Sequence, residues 1–559
     1  MDLRQYSELT EMIDMKMNLR TLAAVLLSVA SFSLLYGQDY FESSKPGWLE
    51  IARSTTPVLH EEILRPVAAV RAVQDPSAFQ GWRYESLGAP DFHAKNFKEV
   101  GEITLDFGRH ITGYFSFHTK VLNNSQDAPV KLKFMFGELP AEMNTPLDPW
   151  KGTLSRGWMQ DEIVTLTDMD EWVTLPRRMS FRYLRIELLG SSAGFDFAID
   201  DLFFKAVSSA GENQVPLLET CPEEIREIAR VSEATLKECM QTVFEDGPKR
   251  DHRLWSGDLY LQSLANRYSF RNFELVKHCL YMFAAFAGEN GVLWSNVYDF
   301  PKWGPQYGSY CLTYCLIWNS TLLEYLKDTG DYQTATDLWK VAKRQIEDAM
   351  TYMRPDNIFD INARPVWLFF DHRAGLDVNA MMQAAMIFAL KDTYELATMI
   401  GCADEVKEYP ALVKAMTKAA RKAYYDKDKE VVVSGPGAQV SILSQTWMIK
   451  AGVLSPKEGR KAIVNALADP ETLMPSGPYA THYLIDAMMI CGMHEQAREY
   501  LVDYWGGMVR KGADTFWECY DPDDDMLTPY SFFPLNSACH AWSCTPTYFI
   551  GKYPEVFQK

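Results

Sequence analysis

Fourteen consecutive residues, Glu245-Asp246-Gly247-Pro248-Lys249-Arg250-Asp251-His252-Arg253-Leu254-Trp255-Ser256-Gly257-Asp258, carry four acids, two arginines, a lysine, a histidine and a tryptophan. Gly247 and Pro248 impose a rigid turn at the start of this segment. From Leu259 the run LYLQSLANRYSF reads as a helix. Side chains of both signs on a turn at a helix mouth can grip a polar, hydroxyl-rich ligand. The competing arrangement is a buried salt-bridge corner with no chemistry.

Other chemistry-bearing groups recur in segments of the same kind. Asp371-His372-Arg373 follows the apolar Trp367-Leu-Phe-Phe370, so the polar triplet is expected at a loop or pocket. Two long stretches between helices, Ser295–Gln306 and Thr515–Asn536, are rich in Trp, Tyr and Asp; loops of that length commonly carry binding residues. The second contains Trp517-Glu518. His482, His540 and Trp542 are weaker candidates for ligand contact, since a lone histidine in a helical domain is more often a packing group. Neither a compact acidic calcium loop nor a HExxH element occurs. The acids of Asp521–Asp525 read as a surface loop, and no metal or cofactor is expected.

These groups must be positioned by two kinds of domain. Before about residue 210, short β-rich runs recur: Glu102–Asp106, Tyr114–Lys120, Val130–Met135, Arg182–Leu188 and Phe195–Ile199. They predict an antiparallel β-sandwich over residues 60–205, followed by a small, polar linker over 206–215. After it, helical periods dominate, at roughly 223–240, 258–286, 307–328, 331–350, 376–397, 404–424, 438–452, 456–468, 481–490, 493–508 and 538–550. Successive antiparallel pairs predict an α/α toroid over 216–559, with long loops at one mouth.

Composition narrows the partners. The 559 residues include 55 Lys plus Arg against 74 Asp plus Glu, a formal charge of −19. That argues against nonspecific binding to nucleic acid or an anionic membrane. An acidic sugar stays compatible, because a pocket can be locally basic. Lys16 and Arg20 precede the apolar run Leu22–Ala30, which predicts a signal peptide over residues 1–37, with translation starting at Met15 or Met17, and export to the periplasm or outside the cell. The run is too short for a membrane span. The ten cysteines, Cys311 and Cys315 among them, read mostly as small buried side chains. Protein partners are not legible.

The motif Asp246–Asp258 resembles the active-site signature of the bacterial α-L-rhamnosidase family. Asp106-Phe-Gly-Arg-His-Ile-Thr-Gly113, Gly512-Ala-Asp-Thr-Phe-Trp-Glu518 and Ser537-Ala-Cys-His-Ala-Trp-Ser-Cys-Thr-Pro546 are similar to further family segments, in the same order. The resemblance covers about residues 95–559 and implies a β-sandwich followed by an (α/α)6 barrel with a central sugar pocket. It implies that Asp246 and Asp258 hold rhamnose hydroxyls and that Glu518 activates water. The family's proton-donating glutamate is missing. Anchoring the match on Trp255–Asp258 puts Asp251 at that position; anchoring it on Asp246–Arg250 puts His252 there.

The compact chain and altered signature are also similar to exported lyases of related architecture, which cut L-rhamnose-α-1,4-D-glucuronate caps of plant arabinogalactan. That resemblance is the leading expectation; an inverting α-L-rhamnosidase and a noncatalytic sugar-binding relative are the alternatives. β-Elimination needs arginine to neutralise the uronate carboxylate, for which Arg250, Arg253 and Arg373 are candidates. It also needs a base, which the lyases are thought to supply as tyrosine. Tyr307 and Tyr310 are preferred, because their segment is similar to a rhamnosidase pocket stretch, with His252 or Asp251 assisting the leaving oxygen.

Overall fold

The computed structural model describes residues 39–559; the expected signal peptide lies outside the described residues. Helix α1 (Lys45–Ser54) comes first and packs on the helical domain, where buried Trp48 donates its indole N–H to Asp337 at 3.0 Å.

Nine strands follow: β1 (His60–Leu64), β2 (Ala68–Gln74), β3 (Trp82–Gly88), β4 (Glu102–Asn123), β5 (Val130–Gly137), β6 (Asp161–Leu166), β7 (Trp172–Thr174), β8 (Met179–Gly190) and β9 (Asp196–Ser208). They pair antiparallel in the order β1-β9-β4-β8-β5-β6, with β2 and β7 attached beside β4 and β3 paired to β2. Alternate residues, such as Phe115 and Phe117 on β4 and Leu132, Phe134 and Phe136 on β5, point into one phenylalanine-rich core. The expected strands 102–106 and 114–120 are one. β4 shifts register against β8 between Asp106 and Ile111, around Gly108 at φ +82°. Its first half pairs with β8 and β2, its second with β9 and β7. Gly113 permits this close approach, since a Cβ there would collide with the Lys205 carbonyl.

The second domain has six hairpins. Outer helices are α2 (Glu223–Cys239), α4 (Phe273–Ala285), α6 (Tyr332–Met350), α8 (Tyr409–Tyr424), α10 (Pro456–Ala468) and α12 (His494–Arg510). Inner helices are α3 (Ser256–Arg267), α5 (Leu312–Thr329), α7 (Asn379–Met399), α9 (Ile442–Lys450), α11 (Pro478–Ile490) and α13 (Pro546–Lys552). The two classes differ in sequence for a physical reason. α2 buries Ile225, Ile228, Val231, Thr235 and Leu236, one face of a helix whose other face meets water. α9 buries every residue from Ile442 to Ile449, because neighbours surround it. The ring closes where α12 meets α2 and α13 meets α3. The expected helix 258–286 is two: Arg271 adopts φ +55°, and Asn272 caps α4 by accepting from the Leu275 N–H at 3.1 Å. No described helix is long and apolar enough to cross a membrane.

The sandwich grips the barrel through buried charge. Arg178, just before β8, places Nη2 at 2.8 and 2.6 Å from the two oxygens of Glu245, at the head of the charged turn. Arg182 on β8 reaches Asp514 at 3.2 Å, and Lys249 of the turn reaches Glu138, after β5, at 2.9 Å. Burial pushes the Glu245 carboxyl up, and Arg178 offsets part of that, leaving it at about 7. A carboxyl raised in this way contributes stability that is full below its ordinary 4.5 and lost as pH rises through about 7. Removing the guanidinium raises it further. Arg178→Met is therefore expected to destabilise the fold by about 3 kcal/mol at pH 8, and by clearly less at pH 5. Urea denaturation at both pH values checks this; equal losses would refute the electrostatic account.

Candidate active site

The charged turn lies against two C-terminal loops, and a carboxylate cluster forms between them. Asp246 is fixed by its backbone, its N–H bonding to the Arg253 carbonyl at 2.9 Å and its carbonyl accepting from Ala541 N–H at 2.7 Å. Its carboxylate accepts from the N–H groups of Asp251 at 3.2 Å and Arg253 at 3.1 Å. Asp258 sits in the first turn of α3, 2 % exposed. His540 stands between the acids: Nε2 is 3.9 Å from Asp246 and 4.0 Å from Glu518, and Nδ1 is 3.7 Å from Asp258.

Glu518 is the anchor of the cluster. Arg250 donates from Nη2 to Oε2 at 2.5 Å, Ser537 N–H donates to the same oxygen at 3.0 Å, and the Tyr530 hydroxyl donates to Oε1. The Arg250 guanidinium lies 4.3 Å from the Tyr530 ring centre and also donates to Asp251 Oδ1 at 3.2 Å and to the Leu535 carbonyl at 3.0 Å. Burial would raise the Glu518 carboxyl, but the Arg250 guanidinium and the Tyr530 hydroxyl outweigh it and hold it at about 2. Glu518 is thus ionised throughout the working range of pH. Asp246 and Asp258 go the other way. Burial pushes both well above the carboxylate range, helped by Asp251 for Asp246, and by Asp246 and Glu518 for Asp258. Burial and Arg250 bring His540 down to about 3, so the imidazole is neutral.

Aromatic rings wall the cluster. Trp542 lies 4.2 Å from His540 and stacks 5.8 Å from Phe369; Tyr314 packs against Trp255, Trp367 and Tyr479. Asp258 Oδ1, His540 Nδ1, His372 Nε2 and Trp255 Nε1 are buried without a protein partner among the described residues. Buried polar atoms of this kind need partners. An aromatic enclosure that offers neutral acid, imidazole and indole groups suits a neutral ring bearing hydroxyls.

The Glycosyl hydrolase family 78 α-rhamnosidase N-terminal domain matches residues 66–206, and the bacterial α-L-rhamnosidase six-hairpin glycosidase domain matches residues 213–553. The chain belongs to the bacterial α-L-rhamnosidase family. A rhamnosidase from Klebsiella oxytoca, solved with rhamnose bound, is 35% identical over 91% of this chain and 99% of that one, with a TM-score of 0.86. A family 78 rhamnosidase of Bacillus sp. GL1 is 20% identical over 80% of this chain and 46% of its own, at TM-score 0.66. The α-L-rhamnosidase of Dictyoglumus thermophilum is 17% identical over 88% and 51%, at 0.65. At that identity these two share the fold. No curated protein matches the chain.

Against this rhamnosidase-type site, the sequence candidates separate into two sets. Asp246, Arg250, Asp251, Asp258, Glu518, His540 and Trp542 converge. Several others do not. Tyr307 is 79% exposed and meets Trp294 edge-on. The Tyr310 hydroxyl donates to Asp348 at 2.7 Å beside Arg364 and Tyr352; burial, Cys315 and Asp348 push it far above the ordinary phenol range, the wrong direction for a base. His252, at φ +59°, turns toward Trp158 of the sandwich, and burial with Arg178 and Arg177 lowers it well below its usual value. His482 packs among Tyr483, Tyr548 and Phe549. Trp517 is buried, with Phe79 of the sandwich stacked on it at 4.1 Å and Tyr520 edge-on at 5.7 Å.

The remaining candidates have structural partners. Asp371 accepts from Ser476 N–H at 2.7 Å and its hydroxyl at 3.0 Å, and Arg373 donates to the Met474 carbonyl at 3.0 Å. Sequence reading missed Tyr530 and Ser537. Tyr530 lies within the long loop 515–536 singled out for its Tyr and Trp content, but nothing in its spacing pointed at Glu518.

Asp258 is the sharpest probe of the protonation pattern. A neutral carboxylic acid is close in shape to an amide and, like it, sets a donor beside an acceptor oxygen. Asp258→Asn is expected to keep most rhamnose affinity, whereas Asp258→Ala leaves a bound hydroxyl unpaired and costs about 1–3 kcal/mol of binding. Isothermal titration with rhamnose at neutral pH separates the two; equal losses would show that the charged form binds.

Proposed function

We propose that the protein is an inverting α-L-rhamnosidase, the alternative rather than the leading expectation from the sequence. The observation that carries this is the commitment of Arg250. Its Nε, Nη1 and Nη2 are spent on Leu535, Asp251 and Glu518, so it is not free to neutralise a uronate. What stands instead is a carboxylate pair held by one guanidinium. An inverting glycosidase needs two carboxyl groups roughly 6.5–9.5 Å apart, with water between one of them and the sugar.

In this reading Asp251, whose side chain is 19% exposed, protonates the leaving oxygen. Glu518 orients the attacking water and takes its proton as bonding to the oxocarbenium-like carbon makes that water acidic. Asp246, Asp258, His540 and Trp542 bind the rhamnosyl ring. No tyrosine serves as base. Tyr530, which does reach the site, has a hydroxyl raised well above the phenol range by burial and Glu518, and it is a donor to that carboxylate.

An acidic neighbouring sugar keeps one supporting residue. Arg253 has no carboxylate partner among the described residues; it donates to the Gln306 side chain and lies 5.6 Å from the Tyr298 ring centre. We assign it to the leaving-group side, where it can pair with a uronate. The proposal also takes the chain as exported, on the basic-then-apolar run before residue 37.

Glu518→Gln and Asp251→Asn are each expected to lower kcat by about 10²–10⁴, while Tyr307→Phe and Tyr310→Phe turn over normally. Proton NMR of the first product should show β-rhamnose, the inverted anomer. An ultraviolet-absorbing unsaturated uronate that survives Glu518→Gln would restore the lyase. Arg253→Ala should raise KM for a rhamnosyl-uronate and leave KM for 4-nitrophenyl α-L-rhamnoside unchanged; equal effects would remove the acidic-sugar assignment.

A further inference from the structure

The β-sandwich enters the chemistry through three residues in a row. Asn536, Ser537 and Ala538 run beside Glu518. Ser537 is paired with Glu518 twice: its N–H donates to Oε2 at 3.0 Å, and its carbonyl accepts the Glu518 N–H at 2.9 Å. The residues on either side of Ser537 are held from the sandwich–barrel boundary. Lys249 donates to the Asn536 carbonyl at 2.7 Å. Glu138, which follows β5, accepts the Ala538 N–H on Oε2 at 2.6 Å. Lys249 and Glu138 meet each other at 2.9 Å, and both are 2 % exposed.

The boundary charges are arranged to keep this grip. Glu138 Oε1 also faces His110 Nε2 at 3.0 Å, and Lys249 reaches Glu142 at 3.2 Å. Burial would protonate Glu138, but Lys249 and His110 hold its carboxyl at about 2, so it is a full anion at Ala538. A charge-assisted hydrogen bond of this length, closed off from water, is a stiff restraint. Nothing comparable holds the Ser537 side, where the Oγ donates to the Cys539 carbonyl at 2.8 Å within the same loop.

We infer that Glu138 and Lys249 are positioning residues for Glu518: together they clamp the 536–538 backbone, so the sandwich domain sets the geometry of the water-activating carboxylate. The inference rests on the role given to Glu518 under the proposed function. Neither residue touches the sugar, so the effect belongs in turnover rather than in binding.

The test uses the full chain with 4-nitrophenyl α-L-rhamnoside. Glu138→Ala is expected to lower kcat toward the roughly hundredfold that about 1 Å of misplacement costs, with KM within about twofold. Glu138→Gln keeps an oxygen for the Ala538 N–H and should recover a substantial part of kcat. Arg178→Met is the control for mere loosening of the domains. It breaks a different boundary ion pair, Arg178–Glu245, without touching 536–538, so it should lower Tm and leave kcat unchanged. A Glu138→Ala enzyme with normal kcat overturns the clamp. So does a loss of kcat in Arg178→Met equal to that in Glu138→Ala, which would mean that any loosening suffices. If Glu138→Ala does not fold, Lys249→Met with Glu138→Gln removes the ion pair but keeps the acceptor; normal kcat in that variant again overturns the clamp. Normal turnover in Glu518→Gln instead removes the proposed hydrolase role and the clamp with it, whereas an inactive Glu518→Gln beside a fully active Glu138→Ala removes the clamp alone.

Discussion

The buried pair between Arg250 and Glu518, 2.5 Å apart, is the constraint on which the site depends. An ion pair taken out of water recovers its desolvation cost only when geometry and supporting hydrogen bonds are good, and it is seldom a net source of stability. Here the supporting bonds come from two distant stretches of the chain: Asp251 from the charged turn, and Tyr530, Leu535 and Ser537 from the C-terminal stretch that carries Glu518. Satisfying that one pair therefore draws the two stretches to one point. Its worth lies in placement, because a carboxylate loosened by an ångström is a poor partner for water.

Burial sorts the protons of the rest of the cluster. Glu518 is held ionised by Arg250, whereas desolvation drives buried Asp246 and Asp258 toward their neutral forms, helped by Asp251 at Asp246 and by Asp246 and Glu518 at Asp258. His540, pressed between Arg250 and the aromatic wall, is kept neutral as well. The sugar-facing surface is then a set of neutral donors and acceptors beside the two carboxyl groups that share the Arg250 guanidinium. That pattern suits a neutral deoxy-sugar that acquires positive character as its glycosidic bond breaks.

The two domains divide the work by the kind of burial each provides. Inner helices such as α9 are buried on all sides and supply a rigid ring; outer helices such as α2 show one apolar stripe and shield it from water. Loops at the mouth carry the chemistry, and they have little internal structure to hold them. The sandwich supplies that support, through Arg178 on Glu245, Glu138 on Lys249 and Ala538, and Phe79 on Trp517.

What the sequence determined by itself is whatever depends on local period and on short motifs. Alternation over 102–135 and 182–199 specified the sheet, and helical stripes specified most of the hairpins, because burial on one face leaves a repeat in the residues themselves. The charged turn was legible as a compact run of unusual composition, whereas Glu518 was singled out by a segment's resemblance to a known family, and His540 and Trp542 only as weaker candidates. Tertiary structure decided the rest. Whether Asp251 or His252 faces the cluster turns on backbone direction at a single residue, and His252 at φ +59° points to the sandwich instead. Tyr310 and Tyr530 are both tyrosines in aromatic-rich loops, yet one hydroxyl goes to Asp348 and the other to Glu518. The split of 258–286 into two helices depended on a left-handed arginine that no propensity signals. And Arg250, suited by type to capturing a carboxylate on the substrate, already has two carboxylates of its own, the neighbouring Asp251 and the distant Glu518. A contact between residues 268 positions apart leaves no trace in local spacing, so only the folded chain could show which partner that guanidinium takes.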